Sequence, residues 1–216
     1  MQSRIRLGIW ALPLSGLLST IAALIPGVSI DPSTNPDGFA RASANVGFSN
    51  MLGIPAGVLL LLGVLTLYLF LSGTAVDRPA FVGLVLTIAG TVLFLPFIGI
   101  YAFVGPVSGR HYLKGDSNAV AIITESTSTM NASALLFGGA GALGLVTGAI
   151  AIAIAIWRSQ NLPKWSGILL AIAVLLSADP FFTYQPIIWL TGGILLLISG
   201  VWLSTSIRKA SVRLST

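Results

Sequence analysis

Residues 132–157 read ASALLFGGAGALGLVTGAIAIAIAIW, 26 residues without a charge. About 20 apolar residues in a helix cross a ~30 Å hydrocarbon core, so this run suffices by itself. Working outward from it, five more stretches qualify or nearly qualify: 7–25, 51–72, 80–104, 165–178 and 186–207. All 11 Lys and Arg and all 6 Asp and Glu fall between or beyond these runs. That is expected when a charge at the middle of a spanning helix costs about 2.5–3.5 kcal/mol.

The bulk composition agrees. Of 216 residues, 55% are hydrophobic and 8% charged, and the mean hydropathy is +0.96. A soluble domain carries about 25% charged residues, and disordered chains are more polar still. The 24 Gly and 11 Pro show no short period, which excludes a collagen-like chain. Without Cys there is no disulfide framework, thiolate metal site or thiol nucleophile. The basic balance does not imply nucleic acid, because no solvent-facing domain carries a basic patch. The expected fold is all-α: a single polytopic transmembrane bundle over 1–216, with external loops at 26–50, 105–131 and 179–185.

Charge distribution sets the expected orientation. Arg4, Arg6, Arg78, Arg158, Lys164, Arg208, Lys209 and Arg213 fall in one alternating set of segments, against Arg41, Arg110 and Lys114 in the other. By the positive-inside rule both termini are cytoplasmic, with Trp10, Trp157 and Trp165 at the inner interface and Tyr101, Tyr184 and Trp189 at the outer one. Arg4 and Arg6 also suit a signal peptide, but the 19-residue apolar run is too long and the Ala42-Ser43-Ala44 site lies too far downstream. A retained first span is the expectation.

Three spans share a string in register: Gly16 to Ala22, Gly83 to Ala89 and Gly167 to Ala173 each carry Gly, Ile and Ala at the same offsets, with Pro26, Pro96 or Pro180 beyond. The alternate spans carry small residues seven apart, Ala56 and Gly63, Gly141 and Gly148, Gly193 and Gly200, each pair on one helix face. This suggests three parallel-repeat hairpins, unlike the inverted repeats of many secondary transporters. Chance similarity in a restricted apolar alphabet is the plainer alternative. Gly144 and Gly148 allow close helix approach, either inside the bundle, which is favoured, or at a dimer seam.

Chemistry is confined to the ends of the spans. No span centre holds an ionisable residue, which weighs against proton relays and ion paths. Pro13, Pro55 and Pro96 free backbone carbonyls, most simply for kinked packing. Asp179 ends the shortest span and is either a binding carboxylate paired with Arg110 or Lys114 or, more simply, a solvated turn residue. Gly109-Arg110-His111-Tyr112-Leu113-Lys114-Gly115-Asp116 is the richest polar stretch. It resembles lipid-phosphatase loops only superficially, since the second His and the paired basic motif are missing. Arg110, His111, Tyr112, Lys114, Asp116 and Asp179 are the candidate binding residues; no catalytic group, metal site or cofactor is expected. A short interfacial helix from Ala119 to Met130 fits loosely, and helix may begin early between Phe39 and Phe48.

Trp157-Arg158-Ser159-Gln160-Asn161-Leu162-Pro163-Lys164-Trp165-Ser166-Gly167 resembles a cytoplasmic turn of small bacterial six-span membrane proteins of unknown function, and the Gly109 to Asp116 string fits the same group. The hairpins are loosely similar in outline to HdeD-type acid-stress membrane proteins. The resemblance implies a bacterial inner-membrane location and supplies no catalytic residue. Three functions follow as expectations. The first is a non-enzymatic membrane component, self-assembling or an accessory subunit of a larger complex, with lipid as its surroundings and no nucleic-acid partner. The second is a transporter or binder of an apolar or lipid-like solute, which requires a cavity lined by Thr, Ser and aromatic side chains. The third is a membrane enzyme at the outer interface, using His111 and Asp116.

Overall fold

The computed structural model describes residues 7–128, 131–178 and 184–213, with side chains to residue 210. Seven helices are described. α1 spans Ala11–Ala23 and α2 Pro36–Leu71. α3 spans Asp77–Leu113, with a π-helical turn at Ile100–Val104. A short α4 spans Ala119–Thr127. α5 spans Ala132–Ser159, with a second π-helical turn at Leu135–Gly139. α6 spans Lys164–Ser177 and α7 Pro186–Arg213. No strand occurs among the described residues. α2, α3, α5 and α7 are long and apolar enough to cross a membrane, and α1 and α6 are shorter apolar helices. The chain is a helical membrane protein.

Two helices outrun their apolar stretches. α2 starts at Pro36 rather than near Met51, because Asn35 accepts a hydrogen bond from the Gly38 N–H at 2.8 Å and Pro36 supplies a first-turn residue with preset φ. At 1.5 Å per residue its 36 residues reach about 54 Å, well past a ~30 Å core. α3 likewise continues to Leu113, so most of the segment expected as an external loop at 105–131 is helical. The connection at 26–50 is irregular only to Asn35.

Apart from α4, each helix packs on its neighbours in sequence, and α7 packs on α1, so α1, α2, α3, α5, α6 and α7 close a ring. Lipid tails are as apolar as leucine, so the ring is held by close van der Waals contact rather than by the hydrophobic effect. Glycine makes that contact possible on two opposite seams. Between α3 and α5, a Cβ at Gly90 would lie 2.4 Å from the Leu145 nitrogen, and one at Gly144 would lie 2.9 Å from the Gly90 Cα. Gly148 faces Thr87 and the Gly83 carbonyl. Gly144 and Gly148 therefore serve packing within the bundle. Between α1 and α7, Gly16 meets the backbone of Leu197, Gly193 meets Thr20 and Gly200 meets Pro13.

The glycines shared by the three strings do not meet equivalent partners. Gly16 faces α7, Gly83 faces α5, and Gly167 faces Ile156 and Ala153 of α5. Pro13 has a specific use. It lies in the first turn of α1 and leaves the Ile9 carbonyl without its i+4 donor; that carbonyl accepts from Ser204 Oγ of α7 at 3.1 Å and from the Leu12 N–H at 3.2 Å. The rings of Pro55 and Pro96 are exposed on the outside of the bundle.

The two ends of the ring differ. At the short-turn end, Leu67, Leu71, Ile152, Ile156, Leu203 and Ile207 are fully buried and fill the axis. There Trp157 and Trp165 meet edge-on with centroids 6.2 Å apart, and Lys164 Nζ stands 5.3 Å from the Trp157 ring. At the loop-rich end α4 lies across the bundle, with Val120 and Ile123 packed against Phe39, Ala40 and Val46.

Candidate binding cavity

The axis that is filled at the short-turn end opens into a cavity of about 220 Å³ towards the loop-rich end. All six ring helices contribute to its wall. α1 presents Ser15, Ser19 and Ala22, at helical spacing on one face. α2 presents Val46, Ser49, Gly53, Ala56 and Leu60, a stripe of about 3.5-residue period. Volume survives here because Gly53, Ala56 and Gly57 place almost no side chain toward the axis. The nearest atom to a Cβ at Gly53 would be Ile98 Cγ2, 3.7 Å away. α3 contributes Phe94, Phe97, Ile98 and Tyr101, again on one face. α5 gives Leu145, α6 gives Val174 and Ser177, and α7 gives Trp189 and Leu196.

The polar groups of the wall fall into two kinds. Ser15 Oγ donates to the Ala56 carbonyl at 2.7 Å, and Ser49 Oγ donates to the Ala22 carbonyl at 2.9 Å, so both tie α1 to α2. Tyr101, on the π-helical turn of α3, donates to Thr127 Oγ1 at 3.1 Å, and its oxygen lies 3.3 Å from the Tyr184 hydroxyl. Thr127 Oγ1 donates onward to the Ile123 carbonyl at 2.8 Å. Since Tyr101 has one proton to give, Tyr184 is the donor in their pair. Burial, then the Tyr101 phenol beside it, raises the Tyr184 pKa above its ordinary value and keeps it a donor. By contrast Ser177 Oγ and Trp189 Nε1 are buried with no hydrogen-bond partner among the described residues. Leaving such a group unpaired costs about 1–3 kcal/mol.

The sequence-level candidates lie elsewhere. Arg110 and His111 are exposed on the last turn of α3, where positive charge suits the helix C-terminus. Lys114 and Asp116 are exposed in the turn that follows, and Asp116 Oδ1 accepts from the Asn118 N–H at 3.2 Å. Tyr112 is half-buried among the α2–α4 contacts. Its pKa is raised, chiefly because the neutral phenol donates to the Asp37 carboxylate, a bond lost on ionisation. It lines a separate polar groove with Val120 and Glu125. None of Arg110, His111, Lys114 and Asp116 lines either space. Asp179 lies outside the described residues. Among the described residues no three His, Asp or Glu side chains are grouped to hold a metal.

Tyr101, Tyr184 and Trp189, expected as an outer aromatic belt, all line the cavity. The missed wall residues had one visible signal: Ser15 and Ser19 one turn apart, facing a helix with Gly53, Ala56 and Gly57. Among the described residues the cavity thus has an uncharged, aromatic and aliphatic interior with two unpartnered donors buried in its wall, at a size just below the ~300–1,000 Å³ of drug-sized sites. Comparison with protein-family models, with curated proteins and with solved structures gives no significant match.

Proposed function

We propose that the chain is a six-span bacterial inner-membrane protein, with both termini cytoplasmic, that binds a small apolar or lipid-like solute in the axial cavity from the outer face. The observation that carries this reading is a cavity walled by six helices, lying toward the loop-rich end and blocked at the other by packed Leu and Ile. The charges support the orientation. The described loop-rich end carries Arg41, Arg110 and Lys114, and the short-turn end carries Arg78, Arg158, Lys164, Arg208 and Lys209. The plugged axis favours binding over a continuous pore. Three parallel hairpins remain the proposed origin of the ring.

Photolabelling in lipid nanodiscs with an aliphatic diazirine tests the reading. Labels are expected on the inward faces of α1, α2 and α3. Gly53→Leu reaches into the cavity from a position where an added Cβ would meet nothing closer than 3.7 Å, so it should abolish those labels while leaving the bundle folded. Labelling confined to lipid-facing residues, unchanged by Gly53→Leu, would sink the proposal.

The accessory-subunit reading rests on the uncharged spans alone, since Gly144 and Gly148 are engaged inside the bundle. Native mass spectrometry from nanodiscs that shows a stoichiometric second protein would restore it.

A further inference from the structure

We infer that the cavity selects neutral ligands with a hydrogen-bond acceptor at one end of a short aliphatic body, docked on the α6–α7 wall by the Ser177 hydroxyl and the Trp189 indole N–H. The inference rests on the reading of this cavity as a ligand site and names the ligand's chemistry.

Ser177 and Trp189 both line the cavity, and their side-chain polar atoms are buried and unpartnered among the described residues. They share a wall. Ser177 Oγ lies against Gly192, where an added Cβ would stand 2.7 Å from it, and Gly192 is one turn along α7 from Trp189. An indole N–H donates only, so whatever satisfies Trp189 must be an acceptor. A carbonyl oxygen has two lone pairs and can take both donors at once.

Charge narrows the class. Among the described residues no Lys, Arg, His, Asp or Glu lines the cavity. A carboxylate or phosphate there would lose its hydration with no counter-charge. The aromatic rings of Phe94, Phe97 and Tyr101 would suit a quaternary ammonium group. The Trp189 indole N–H, a donor only, presents its positive hydrogen end, however, and disfavours a cation. What fits is a ketone, ester, amide or alcohol carried on hydrocarbon.

The test uses two chain-matched aliphatic diazirines at equal mole fraction in nanodiscs, one a hydrocarbon and one a methyl ketone. In the full chain the ketone should label cavity peptides about fivefold to tenfold more than the hydrocarbon at subsaturating dose. In Ser177→Ala with Trp189→Phe, ketone labelling should fall to the hydrocarbon level while hydrocarbon labelling is unchanged. Ser177→Ala alone removes a single oxygen and carries the test if the double variant does not fold. Equal labelling by the two probes in the unaltered chain overturns the inference, with water then satisfying the donors, and leaves the cavity reading intact. Absence of cavity labelling by either probe overturns both.

Discussion

A methyl group at Gly90 has no space: its Cβ would sit 2.4 Å from the Leu145 nitrogen and 2.8 Å from the Gly141 carbonyl oxygen. Gly90→Ala should therefore spread α3 from α5 and cost at least the ~1–3 kcal/mol typical of overpacking, read as a lower unfolding temperature in detergent. Gly99→Ala, on the same helix with nothing within 4 Å of the added atom, should leave that temperature unchanged or raise it. Gln160 makes the opposite case. It ends α5 at φ 55, in the left-handed region that costs a non-glycine residue roughly 1–2 kcal/mol. Gln160→Gly should stabilise the turn into α6, and Gln160→Val should destabilise it. Glycine seams were legible in the sequence as small residues at helical spacing. Their partners were not, because a glycine at position 16 or 83 carries no mark of the helix it will face. The cavity role of Tyr101, Tyr184 and Trp189 was hidden for a related reason: a ring with a polar tip suits a membrane interface and a partly polar cavity equally well.

At the scale of the element, hydropathy found each apolar stretch and missed the ends of two helices. Residues 36–50 of α2 are small and polar by turns, so no apolar run announces them; the Asn35 cap and Pro36 do. The apolar stretch at 165–178 coincides with the 14-residue helix α6. The cavity belongs to this scale too, because it is created by one stripe of α2. Gly57→Leu, whose Cβ would lie 3.7 Å from Thr91 Cγ2, should fill it from a second position. Competition between an aliphatic ketone and a fluorescent fatty probe should then weaken by about tenfold or more. Beyond Ser15 and Ser19, no polar sequence motif discloses this site, since its volume is set by side chains that are absent.

For the molecule as a whole, the lack of Cys in the sequence makes orientation directly measurable. Single substitutions Lys114→Cys and Asn161→Cys lie at opposite ends of the ring, at exposed positions. In intact bacterial cells an impermeant maleimide should label the first and spare the second until the membrane is opened. The reverse pattern would invert the proposed topology and put the cavity mouth on the cytoplasmic side. The ring also bears on how the protein is made. Its last seam joins Ile9 to Ser204, positions 195 residues apart, so the helices before α7 can assemble in order while that gap stands open. A nascent chain stalled before α7 lacks Trp189 and the α1–α7 seam, and its polar wall residues face hydrocarbon.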